Sequence, residues 1–96
     1  IEWVVGVGYK SDIEEVKNIL SNVILSIDEI SKDPAPFVGV TELSSSSIDF
    51  SIRIWIENNI NIFAVRSQLI EECKKALDNA GVEIPYNQLD VRVSNK

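Results

Sequence analysis

Ten consecutive residues alternate without a break. Ile48, Phe50, Ile52, Ile54 and Ile56 fall on one side of an extended chain, and Asp49, Ser51, Arg53, Trp55 and Glu57 fall on the other. Successive side chains of a strand point to opposite faces, so Ile48 to Glu57 reads as a strand whose sheet has one covered and one wetter face. Such a strand needs a second layer to bury its apolar side.

The flanking sequence supplies that layer. Phe37 to Leu43 (FVGVTEL) is a second strand, joined to the first by the polar tract Ser44-Ser45-Ser46-Ser47 as a hairpin. Glu2 to Tyr9 (EWVVGVGY) is Val-rich and too short for a helix. Ser11-Asp12-Ile13-Glu14 has the form of a capping box, predicting a helix that starts with the Ser11 hydroxyl and runs to about Ile30. Its apolar residues Ile13, Val16, Leu20, Val23 and Ile27 recur at steps of three and four, with Ile19 and Ile24 widening the stripe. Asp33-Pro34-Ala35-Pro36 stops the pattern, because proline lacks a donor and disfavours helix in the residue before it.

After the alternating run, Asn58, Asn59 and Asn61 mark a turn and an N-cap. A second helix is predicted from about Ile62 to Asn79, with Val65, Leu69, Cys73, Ala76, Leu77 and Ala80 as its buried stripe and Gly81 as its terminator. Val82 to Ile84 and Leu89 to Val93 are short extended pieces split by Pro85 and Asn87, and Ser94-Asn95-Lys96 reads as a frayed tail. The order strand, helix, strand, strand, helix, strand is a split β-α-β repeat, and right-handed crossovers place both helices on one face. The expected fold class is α+β, a ferredoxin-like βαββαβ sandwich with an antiparallel sheet.

Composition narrows the function. The 96 residues allow one domain, and nine Lys plus Arg against fifteen Asp plus Glu leave a net charge of −6. That is the wrong field for nucleic acid, and no nucleic-acid partner is expected. His is absent, which removes the commonest general base and metal ligand together. The single cysteine, Cys73, excludes a disulfide framework and fits a reducing compartment. No stretch approaches the ~18 uninterrupted apolar residues of a membrane span. The chain lacks Met and opens inside an apolar run, Ile1-Glu2-Trp3, and is read as a piece of a longer protein.

Each motif that could carry chemistry has a structural explanation. Gly6-Val7-Gly8 places a GxG at a strand end, but Ser11 stands where a dinucleotide loop needs its third glycine, so tight packing is expected. Trp55 beside Arg53 is one aromatic on an acidic domain, short of the stacking platform that RNA-binding sheets present. Cys73 lies on a helix face with no second thiol, the setting of an apolar core residue. Asp12, Glu14 and Glu15 suit a helix N-terminus, and Asp28, Glu29, Asp33, Glu71 and Glu72 read as solvated surface. No nucleophile–base pair is available without His. No catalytic residue, metal site or cofactor is expected, and the chain is not read as an enzyme.

Several segments taken together resemble the cytoplasmic C-terminal domain of the small-conductance mechanosensitive channel (MscS) family. Val5-Gly6-Val7-Gly8-Tyr9-Lys10-Ser11-Asp12-Ile13 resembles the family's "GVAYDSDI" opening, and Lys32-Asp33-Pro34-Ala35-Pro36 with Val40-Thr41-Glu42-Leu43 follows in order. Arg53-Ile54-Trp55 is similar to its "VRVW". Ala80-Gly81-Val82-Glu83-Ile84-Pro85-Tyr86-Asn87-Gln88-Leu89-Asp90-Val91 resembles its "AGI.IPYPQ.DV" close. Lys10 and Asn87 depart from the pattern, Lys10 where an acidic residue is common and Asn87 where a second proline is usual.

The resemblance implies a homoheptameric, tension-gated channel in the bacterial inner membrane. This domain would form the lower wall of a cytoplasmic cage that filters solutes during hypo-osmotic shock. Self-association would be the partner relationship, with the membrane reached only through segments absent from this chain. Residues 1–86 would be the ferredoxin-like domain, and 87–96 a barrel strand and tail in which Leu89, Asp90, Val91, Arg92 and Val93 form the oligomer interface of a small parallel barrel. A ferredoxin-like small-ligand regulatory module is the alternative.

Overall fold

The computed structural model describes residues 1–57 and 60–85. They form β1 (Glu2–Val7), α1 (Ile13–Ser26), β2 (Phe37–Leu43), β3 (Ile48–Arg53) and α2 (Ile62–Asn79). The strands make one antiparallel sheet in the order β1-β3-β2, so the alternating run occupies the centre. Residues paired across an antiparallel ladder share a face. Val7 and Leu43 flank Ile48, Val5 and Val40 flank Phe50, and Trp3 and Val38 flank Ile52.

Both helices cover that face. Val16, Leu20 and Ile24 of α1 and Val65, Leu69, Cys73 and Leu77 of α2 join Val5, Val7, Ile48, Phe50, Ile52 and Ile54 in a single buried cluster. The expected α+β architecture, with two helices on one side of an antiparallel sheet, is therefore the one observed. Inside the core the Cys73 thiol is pushed up to about 12 from its ordinary 9.0, first by burial and then by the neighbouring Glu72 carboxylate.

Several local expectations change. The cap of α1 is Asp12, not Ser11: Asp12 has extended backbone, and its carboxylate accepts the Glu14 and Glu15 amides at 2.9 and 3.4 Å. Ile13, on the expected stripe, is exposed. The helix also stops at Ser26, short of Ile30. Ile27 and Ile30 stay buried, but in a turn that lets Ile30 bridge to Ile56 and the Ser31 amide bond the Trp55 carbonyl at 2.7 Å. Apolar residues three apart satisfy a turn as readily as a helix. β3 closes at Arg53 rather than Glu57, although Ile54 still exchanges two hydrogen bonds of 3.0 Å with Ile1.

The C-terminal end of α2 follows the glycine signal. Gly81 has φ 77°, the Gly81 amide bonds the Asp78 carbonyl at 3.0 Å, and the Val82 amide bonds Leu77 at 2.9 Å. These two bonds make a Schellman cap, and they turn Val82 back onto the core. Val82 to Ile84 does not become a fourth strand. It touches β1 through one backbone bond, the Gly8 amide to the Glu83 carbonyl at 2.8 Å. The next rung would set Gly6 opposite Pro85, which has no N–H to give.

The other face of β3 is drier than alternation alone suggested, for Asp49 and Ser51 are buried along with Ser47. A central strand has neighbours on both sides, and here polar side chains close over it. The Asp49 carboxylate accepts Ser44 Oγ at 2.6 Å and Ser47 Oγ at 2.7 Å, and the Ser51 and Thr41 hydroxyls pair at 2.7 Å. The Phe37 ring lies over Gly39, where a Cβ would stand 2.8 Å from the ring.

Two outcomes follow from this core. Ile54→Asp places a carboxylate where the wild-type residue is 1% exposed, at a cost of several kcal/mol, and should abolish the cooperative thermal transition of a domain with about 5–15 kcal/mol in hand. Arg53→Ser removes an exposed ion pair to Glu2 and should cost under about 2 kcal/mol. Melting of the two variants checks both, and the reverse ranking would shift the strand register by one. Below pH 9 the Cys73 thiol is protonated whether folded or unfolded, and from pH 9 toward 12 only the unfolded chain ionises it readily, so fold stability falls across that window. In urea titrations the stability gap between wild type and Cys73→Ala should therefore narrow above pH 9, by up to about 1.4 kcal/mol per pH unit.

Candidate functional site

The described residues hold no group of three His, Cys, Asp or Glu side chains that could take a metal ion. The glycine pair is spoken for. Gly6 and Gly8 are buried, the Gly8 amide is used by Glu83, and a Cβ on Gly8 would meet the Glu83 carboxylate at 3.2 Å. An amide that a phosphate would need is thus already bonded inside the chain. Cys73 is enclosed in the core and stays protonated at neutral pH.

The acidic residues divide in the same way. Asp12 is a helix cap, and Asp78 pairs with Lys74 at 2.6 Å one turn away. Asp49, not singled out in the sequence, is the acidic side chain with a buried structural task. The Ser44 and Ser47 hydroxyls on either side of a tight turn were its available signal.

What remains is surface. On the sheet face away from the helices, Arg53 reaches Glu2 at 3.3 Å, and its guanidinium carbon lies 5.9 Å from the centre of the Phe37 ring. Trp55 is exposed beyond them. Phe37 is a second aromatic that sequence spacing did not place beside Arg53, since register across two strands decided it. At the first turn of α2, Ile62 and Phe63 are both exposed. A groove of about 490 Å³ runs between α1 and α2, floored by Ile19, Val23, Ala76 and Ala80 and edged by Asn22 and Asn79.

The expected interface residues Leu89, Asp90, Val91, Arg92 and Val93 lie outside the described residues. The structure does fix where the chain departs toward them. It leaves α2 through the Schellman cap and is held at Glu83 by the Gly8 amide at the end of β1. No helix among the described residues is long and apolar enough to cross a membrane.

Comparison with known proteins fits a chain built around surfaces. The family model described as "Mechanosensitive ion channel MscS, C-terminal" matches residues 1–84. The small-conductance mechanosensitive channel of Helicobacter pylori is 48% identical over 96 residues, all of this chain and 35% of that protein. Its counterpart in Edwardsiella ictaluri is 36% identical over 93 residues, 97% of this chain and 32% of the relative. The crystal structure of Helicobacter pylori MscS in its closed state superposes with a TM-score of 0.85 at 49% identity, covering 90% of this chain and 34% of the other. A cryo-EM structure of Arabidopsis thaliana MSL1 A320V shares the fold, with a TM-score of 0.75 at 16% identity over 88% of this chain and 34% of the other. This chain spans about a third of the length of these relatives. With sequence identity along its whole length and a matching arrangement of helices and sheet, the chain belongs to the MscS mechanosensitive channel family, as its C-terminal domain.

Proposed function

We propose that this domain is part of the cytoplasmic cage of a tension-gated channel in the bacterial inner membrane. Seven copies surround the path that solutes take to the pore, and the wall they form filters those solutes during hypo-osmotic shock. The match of residues 1–84 to the MscS C-terminal model carries this reading. The enclosure of Cys73 in the core agrees with a structural role.

In this reading residues 1–86 are the folded wall unit and 87–96 the segment that joins neighbours. Leu89, Val91 and Val93 occupy one face of an extended segment, and Asp90 and Arg92 the other. Seven identical parallel strands without stagger would set like charges side by side. A closed barrel requires shear, and an even stagger keeps each residue on its own face. The smallest such step, two residues, puts Asp90 of one copy beside Arg92 of the next.

Two measurements test the proposal. The full-length protein in liposome patches should give unitary currents on suction, and silence under tension would remove the channel reading. Asp90→Arg or Arg92→Asp alone should weaken the detergent-solubilised heptamer, while the exchanged double variant should recover much of the loss, each exposed pair being worth about 0.2–1 kcal/mol. A double variant no better than the sum of its parts removes the staggered pairing.

A further inference from the structure

The first turn of α2 is built in an unusual way. Helix starts favour acidic residues, yet this turn has none. It carries Ile62, 46% exposed, and Phe63, 84% exposed. Neither is required by the fold, because the buried stripe of α2 begins only at Val65. A nearly bare phenylalanine with an isoleucine beside it is the kind of anchor that binding surfaces use.

The same chain offers a receptor. The groove between α1 and α2 is shallow and open, with an apolar floor of Ile19, Val23, Ala76 and Ala80 rimmed by Asn22, Ser26 and Asn79. Phe63 cannot fill the groove of its own copy. Ala76 and Ala80 lie 13 and 17 residues further along the same helix, about 20 and 26 Å away at 1.5 Å per residue. A contact between knob and groove must join two copies through different surfaces, which is the head-to-tail geometry that builds rings.

We propose that Ile62 and Phe63 of each copy dock into the α1–α2 groove of a neighbouring copy of this chain. The proposal rests on the ring assembly put forward above and names the contact between adjacent wall units. Its size suits that setting. A buried aromatic contributes about 150–250 Å², against about 800 Å² per partner in a stable pair. One such contact leaves isolated domains largely monomeric. Repeated at every junction of a closed ring, it adds to contacts made elsewhere in the full-length subunit.

The test uses the full-length protein. Subunits with Phe63→Cys and subunits with Ala80→Cys, carrying different tags, are co-expressed and oxidised with copper phenanthroline; the native Cys73 is buried and stays out of the reaction. A disulfide-linked pair bearing both tags, absent from either variant alone, is the expected result. Phe63→Ser should leave the melting temperature of the isolated domain unchanged, since the side chain is exposed, while the full-length oligomer dissociates at a lower temperature than the unsubstituted one on size-exclusion chromatography after heating. If the oligomer forms without the cross-link, or is as heat-stable with Phe63→Ser as without it, the docking is overturned and the cage reading stands. If the unsubstituted full-length protein does not assemble at all, both fall together.

Discussion

Burial of one face of β3 is the contact on which the rest depends. Ile48, Phe50, Ile52 and Ile54 are each 5% exposed or less, and every other element reaches the core through them. β1 and β2 are held in register on either side, and α1 and α2 lay their apolar stripes across the resulting surface. Shifting the pairing by one residue would turn all four side chains outward together, so the alternation fixes both the fold and its register.

Closing the opposite face is left to short polar side chains. Asp49 with Ser44 and Ser47, and Ser51 with Thr41, satisfy buried groups by local hydrogen bonds in place of a third layer. The result is a thin two-layer unit with helices outside one face and a mixed surface of Phe37, Arg53, Glu2 and Trp55 on the other.

The end of α2 links this unit to whatever follows. A left-handed glycine reverses the chain, Val82 returns to the core, and the Gly8 amide secures Glu83. Pro85 then stops the segment from zipping along β1, because it has no donor for the next rung. One proline thereby ends the pairing of this segment with β1.

Much of this was legible in the chain. The alternation of Ile48 to Ile56 announced the buried strand, and Asn61 and Gly81 bounded α2 to the residue. The order of periodic segments led to two helices over an antiparallel sheet. The ends of α1 were less legible, since Ser11 and Asp12 are both good caps and an apolar spacing of three serves a turn or a helix. In the candidate surfaces, the exposure of Phe63 could have been inferred from its place off the α2 stripe, whereas the groove that could receive such a side chain needs Ile19 of one helix and Ala76 of another to be brought together. Local periodicity and capping chemistry therefore determined which elements form and which side of each faces inward. Tertiary structure alone decided that β3 is central, that Asp49 and Ser51 are enclosed, and that Phe37 meets Arg53. The physical reason is that side-chain period records the direction of burial, while the identity of the neighbour depends on segments far away in the chain.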